Sequence, residues 1–318
     1  MTNKIYAPVS ATAPAKYIII GEHAVVHGEP ALAAPLNSVY STATLRPVHK
    51  HNTTDLYINA PDINFSGALE SMPHDNPIAN IVRQTLQELH YQDSIPGSLT
   101  VTSTIPIASG LGSSASISTA ISRCIIKYLG HNLTNDEISQ IVFKTESLQH
   151  GNPSGIDNTV IAHEVPMLFS KASPAQHLRP TKPLYYVLAD TGQTRSTMDT
   201  LNIFRKQSRK KTTLFQESVR SIGKIAKESS LAFQDADHIK LGNLMSKNHA
   251  LLQKLGVSTP ELDKLVTIAI ASGANGAKLS GAGHGGHIIA QVNQQTMSSV
   301  VNALKDIGSK PLTAIINP

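Results

Sequence analysis

Between an alternating strand and an apolar helix the chain carries Pro106-Ile107-Ala108-Ser109-Gly110-Leu111-Gly112-Ser113-Ser114-Ala115. No other stretch restricts the fold as much. Upstream, Leu99, Val101 and Ile105 fall on one face and Thr100, Thr102 and Thr104 on the other, the period of a strand over 98–105. Downstream, Ala115 to Leu129 is compatible with a helix. A glycine-rich turn at a helix start leaves backbone N–H groups without helical partners. Those donors and the helix dipole suit a phosphate, and a serine hydroxyl beside them can reach phosphate or a magnesium ion. The plain alternative is a tight turn whose small residues serve packing. The stretch matches neither GxxxxGK[ST] nor GxGxxG, so its weight depends on other segments.

The chain has 318 residues, room for one large domain or two ordinary ones. At 40% hydrophobic and 15% charged it has the composition of a folded globular protein. Apolar runs such as Tyr17 to Ile20 are far too short to span a membrane. Met1 to Lys16 lacks the pattern of a secretory signal. A single cysteine, Cys124, rules out an internal disulfide and a cysteine metal cluster; it is expected to be inert core, in a cytoplasmic protein. A net charge of +5 suits an anionic small molecule. The one dense basic run, Arg205 to Lys211, has no interleaved aromatics and reads as a solvated helix face or loop, with disorder expected around 203–212, rather than a nucleic-acid site.

Strands are expected at 16–20, 39–47 and 55–58, and helices at 77–89 and 136–148. The second half begins near Pro183 with a strand at 184–189. Helical patterns follow over 201–233, 236–255 and from Pro260, then strands at 277–280 and 287–292, a helix over 296–307 and a strand at 312–316. Such alternation argues for two layered α+β domains, divided as 1–180 and 181–318.

Three further segments carry polar groups in unusual settings. Lys16 precedes an apolar strand and Glu22-His23 follows it; surface capping of a strand is the plain reading for any one of them. In Glu146 to Asn158, His150-Gly151-Asn152-Pro153-Ser154-Gly155 forces an irregular turn ahead of Asp157. Glu146 on a helix and Asp157 after the turn could hold a metal and a substrate hydroxyl; a capping aspartate is the alternative. Lys278 to His287 sets Gly281, Gly283, Gly285 and Gly286 between two strands, which allows close backbone approach to a phosphate or substrate. His284 and His287, without acidic neighbours, are weak metal ligands.

Taken in order, GEHAVVHGEPALA, PIASGLGSSAS, HGNPSGIDN, the Asn248–Asp263 segment and KLSGAGHGGHIIA resemble the GHMP kinase superfamily and, within it, the mevalonate kinase family, over nearly the whole chain. The resemblance implies an α+β GHMP kinase fold. Its N-terminal domain would be ribosomal-protein-S5-like and its C-terminal domain ferredoxin-like, with the active site between them. It implies magnesium-dependent transfer of phosphate from ATP to the C5 hydroxyl of mevalonate. Asp157 resembles the catalytic aspartate and Lys16 the lysine that contacts it. Ser114 and Glu146 resemble the magnesium ligands. Pro106, Ser109, Gly110, Leu111, Gly112, Ser113, Ser114 and Ala115 resemble the ATP cradle. Glu22, His23, Asp157, Thr197, Gly281, Ala282 and Gly283 fall where the family contacts its substrate. Dimers are common in the family; neither a membrane nor nucleic acid is implied as a partner. Two departures stand out: His284 where glycine is common, which adds bulk to the loop, and His287 where cysteine is frequent. Alternatives are a related kinase acting on phosphomevalonate, a sugar or homoserine, and a silent ligand sensor. The sensor is disfavoured because Lys16, Ser114, Glu146 and Asp157 are all present.

Overall fold

The structure is a computed structural model that describes residues 7–47, 55–107, 109–151, 153–192 and 213–318. Thr197, the segment 203–212 with its basic residues, and the helix start expected at Leu201 lie outside the described residues. The chain divides into two compact units, Met1–Ala15 with Val39–Pro106 and Gly112–Glu164, and Lys16–Ser38 with Ile107–Leu111 and Val165–Pro318. The strands β1 (Val9–Ile20) and β2 (Ala31–Pro47) each have residues in both.

In the first unit β2 pairs antiparallel with β5 (Gly97–Ser103), from Ser41 opposite Ser103 to Pro47 opposite Gly97. β5 pairs parallel with β3 (Leu56–Ala60), which pairs antiparallel with β4 (Phe65–Ala68). Leu99 and Val101 are buried as the alternation requires, and with Leu45, Leu56 and Ile58 they form the strand side of the core. The helices α1 (Pro77–Glu88), α2 (Ser113–Tyr128), α3 (Asn135–His150) and α4 (Ile156–His163) supply Ile81, Val82, Ile121, Ile125, Val142 and Ile161. Local signals set the ends. Asn76 caps α1 with Pro77 in its first turn, and Thr134 with Glu137 forms a capping box on α3. Cys124 is buried in α2, where burial pushes its thiol up to about 11, as an inert core cysteine requires.

In the second unit β2 continues as Ala31 to Ala33 against β6 (Met167–Ser170), which pairs with β7 (Ser173–His177). A separate four-stranded antiparallel sheet has the order β11-β8-β10-β9, from Leu312–Ile316, Leu184–Asp190, His287–Val292 and Gly276–Ser280. The helices α5 (Thr213–Gln234), α6 (His238–Lys254), α7 (Pro260–Ala271) and α8 (Met297–Asp306) complete this unit. Its core joins Ala189, Leu279, Ile288 and Ala290 to Leu252, Leu262, Val266, Val300 and Leu304. This is a mixed α+β architecture. No helix among the described residues is long and apolar enough to cross a membrane.

Candidate active site

β5 and α2, the strand and the helix expected on either side of the glycine loop, both belong to the first unit. Gly112 opens α2 in the left-handed region, φ 76°, and no side chain caps the helix. The first amides of α2 therefore have no helical acceptor and no side-chain cap, the state that suits a phosphate. Ser114 sits in this first turn, and its hydroxyl donates to Glu146 Oε1 at 2.5 Å, across 32 residues of sequence. It also reaches Gln149 Oε1 at 3.4 Å. Glu146 projects from α3 and is buried. A hydroxyl and a carboxylate in contact make a hard oxygen pair, which suits magnesium because that ion keeps several water or phosphate oxygens of its own. The donor set therefore fits the cation the sequence implied. Among the described residues no cluster of three or more His, Cys, Asp or Glu side chains could hold a metal, and His284 and His287 form none.

Asp157 occupies the first turn of α4, where the helix dipole favours an anionic side chain. The segment before it ends in Gly155 at φ 89°, and a helix of eight residues follows directly. That helix is pinned by its neighbours on either side of Asp157. Ile156 N–H donates to Ser154 Oγ at 3.3 Å, and Asn158 Nδ2 donates to the carbonyl and hydroxyl of Ser139 at 3.1 and 2.8 Å. Asp157 is half-buried at this fixed point.

The second unit holds Lys16, Glu22, His23 and the segment 107–111. Lys16 is buried; its N–H donates to Leu111 O at 2.9 Å and its Nζ to Gly110 O at 3.1 Å. A second anchor is His287, buried, with Nδ1 3.1 Å from Ser109 O. A carbonyl only accepts, so this nitrogen carries the proton. Gly281 completes the docking: a Cβ there would stand 3.6 Å from Gly110 Cα, a close backbone approach.

Glu22 is not at the strand surface. Its carboxylate is buried and bonded to Lys278 Nζ, which also donates to Leu279 O at 2.5 Å. Burial raises the Glu22 pKa, opposed by Lys278 and Lys16; burial lowers that of Lys278, opposed by Glu22. His23 is buried with φ 61°, a conformation rare outside glycine. Burial lowers its pKa to about 4, with the Ala282 carbonyl opposing and His284, Lys278 and His27 adding to the shift. His23 is therefore a neutral imidazole at ordinary pH, and it touches the glycine loop through Ala282. His284 adopts φ 57°, a backbone conformation that glycine takes more readily, and its N–H donates to Val257 O at 2.9 Å.

Several of the sequence-predicted residues are thus brought together within each unit: Ser114 with Glu146 in the first, Lys16 with Gly110 and Leu111, and His23 with Ala282, in the second. The sequence reading missed Lys278 as the partner of Glu22 and His287 as the anchor of Ser109. Both lie inside a segment already singled out for its glycines. A buried charge in such a segment was the available signal.

Comparison with known proteins agrees with these features. The family profile of the GHMP kinases N terminal domain matches residues 77–163, and that of the GHMP kinases C terminal matches 229–310. A mevalonate kinase of Pyrococcus abyssi is 35% identical over 327 residues, covering 97% of this chain and 96% of the relative. The crystal structure of the Methanococcus jannaschii mevalonate kinase superposes with a TM-score of 0.84 at 25% identity, over 99% of each chain. The L. major mevalonate kinase in complex with R-mevalonate gives 0.82 at 26% identity, over 100% of this chain and 99% of that one.

Proposed function

The chain belongs to the mevalonate kinases of the GHMP kinase family, and from that premise we propose that it transfers the γ-phosphoryl group of ATP to the C5 hydroxyl of mevalonate. The observation that carries the phosphoryl-transfer part is the uncapped start of α2 with Ser114 bonded to Glu146. A phosphate seat and a hard oxygen pair at one helix end suit a nucleotide triphosphate and its cation.

Phosphoryl transfer passes through a loose transition state, so positioning and charge neutralisation outweigh covalent chemistry. The amides of Ser113, Ser114 and Ala115 bind triphosphate oxygens, with Pro106, Ser109, Gly110 and Leu111 completing the loop. Ser114 and Glu146 would hold magnesium, which would neutralise phosphate charge when bound. Asp157 accepts a hydrogen bond from the acceptor hydroxyl and takes its proton late, since a primary alcohol is a very weak acid. Lys16 offsets the developing negative charge. His23, neutral, and the loop Gly281, Ala282 and Gly283 orient the acceptor. Glu22 acts through Lys278. Thr197 keeps its proposed substrate contact by family resemblance alone. A cytoplasmic location and a homodimer belong to the same proposal, the first supported by the single buried cysteine.

The test is ADP release from ATP and magnesium with mevalonate, 5-phosphomevalonate, galactose and homoserine, the product position being read by NMR. Turnover on mevalonate with phosphate on the C5 oxygen is expected. Turnover confined to another acceptor would keep the kinase and overturn the substrate.

A further inference from the structure

We propose that His249, oriented by Asp263, is a positioning residue for the phosphoryl-transfer site, acting through Lys278 and Glu22 on Lys16. The proposal rests on the kinase reading above, and all its residues lie in the second unit. His249 projects from α6 and is buried. Leu279 N–H donates to its Nδ1 at 3.4 Å. An amide can only donate, so Nδ1 is the bare nitrogen and Nε2 carries the proton. Nε2 lies 3.0 Å from Asp263 Oδ1 on α7, an acceptor. Asp263 is itself held by the Ser258 hydroxyl, which donates to the same Oδ1 at 2.5 Å. The Leu279 amide therefore sets the tautomer of the ring, and Asp263 stands beside its Nε2.

The ring meets β9 beside the buried Lys278. Lys278 Nζ is bonded to the Glu22 carboxylate, whose pKa the charge of Lys16 helps to lower. The Glu22–Lys278 pair and the His249 ring thus meet β9 at adjacent residues, Lys278 and Leu279. β9 is tied to β1 one residue further on, where Ser280 Oγ donates to Ile18 O at 3.1 Å. It then enters Gly281, which backs onto Gly110. The titratable or charged groups facing His249 are Asp263 from α7 and Lys278 from β9. Burial, with Lys278, holds the imidazole below its ordinary pKa, and Asp263 opposes them. Protonation would turn Nδ1 into a donor facing another donor and would place a second cation beside Lys278. Both effects push β9 and Lys278 out of register. A neutral His249 is therefore a condition for a correctly placed Lys278, and the Asp263 charge sets the pH at which that condition fails.

The experiment measures the acid limb of kcat/KM for the wild type and for Asp263→Asn, together with the ring nitrogens of His249 by 15N-correlated NMR. Asparagine keeps an acceptor oxygen but removes the charge, so the imidazolium loses support and its pKa falls. The limb is expected to move to lower pH by about one unit. The NMR spectrum of the wild type at neutral pH is expected to show the Nε2–H tautomer. His249→Phe is expected to lower kcat roughly tenfold, and His249→Gln, which can still accept from Leu279, to recover part of it. Superimposable acid limbs, an Nδ1–H tautomer, or full kcat in His249→Phe would each overturn the proposal. Absence of turnover by the wild type on every acceptor would instead overturn the kinase reading, and the NMR spectrum would still decide the tautomer.

Discussion

Individual side chains separate what is chemical here from what is scaffolding. Asp157 is delivered by a glycine-capped turn and held by the bonds of Ile156 and Asn158, so its removal leaves its supports in place. Asp157→Ala is expected to lower kcat by about 10²–10⁴-fold with nucleotide binding retained; near-normal turnover beside a normal ATP titration would refute the role. Glu146 presents a charged oxygen to Ser114. Glu146→Gln keeps an oxygen but weakens the hard-donor pair, so half-maximal rate is expected to need several-fold more magnesium. A magnesium curve matching the wild type would argue against ligation. The residues themselves were legible as polar groups in glycine-rich or strand-flanking contexts. Their partners were not: Lys278 is 256 residues from Glu22, and no local pattern encodes that pairing.

Elements were legible where hydrophobic periodicity and caps agreed. The expected strand at 287–292 and the helix opening at Pro260 match β10, a short and wholly buried run, and α7, which a Pro–Glu first turn marks. β1 and β2 run longer than the expected 16–20 and 39–47, and in β2 the added Ala31 to Ala33 pair with β6, distant in sequence. β6, β7 and α4 were not anticipated: four, five and eight residues are too short for a period to show. The glycine loop after β9 gives a test at this scale. Gly283 and Gly308 both have positive φ, but a Cβ at Gly283 would lie 2.2 Å from Val257 O, while none of its surroundings would meet one at Gly308. Gly308→Ala is expected to cost about 1 kcal/mol from backbone strain alone. Gly283→Ala is expected to cost at least roughly 2–3 kcal/mol, because the carbonyl must move as well. Equal urea midpoints for the two variants would show that the Val257 contact does not constrain the loop.

At the scale of the molecule, buried histidines couple stability to pH. His23 has a pKa of about 4 when folded against 6.5 otherwise, and burial also lowers His249 and His287. Between those values the unfolded chain binds more protons than the folded one, so stability rises with pH and is lost as pH falls from about 6.5 towards 4. His23 alone accounts for on the order of 3 kcal/mol of that loss, from 1.36 kcal/mol per pH unit. Urea unfolding between pH 7.5 and 4 checks this, and His23→Gln is expected to flatten the slope; an unchanged slope would show that His23 titrates normally. The sequence by itself determined the α+β class, because propensity and periodicity are local properties of the chain, and through its motifs it carried the resemblance to the GHMP kinases. Only the tertiary structure decided that Ser114 meets Glu146, that Glu22 pairs with Lys278, and that His249 accepts from Leu279 beside Asp263. Those pairings depend on packing that brings distant segments within hydrogen-bond reach, where burial in a low-dielectric interior gives each charge a definite partner.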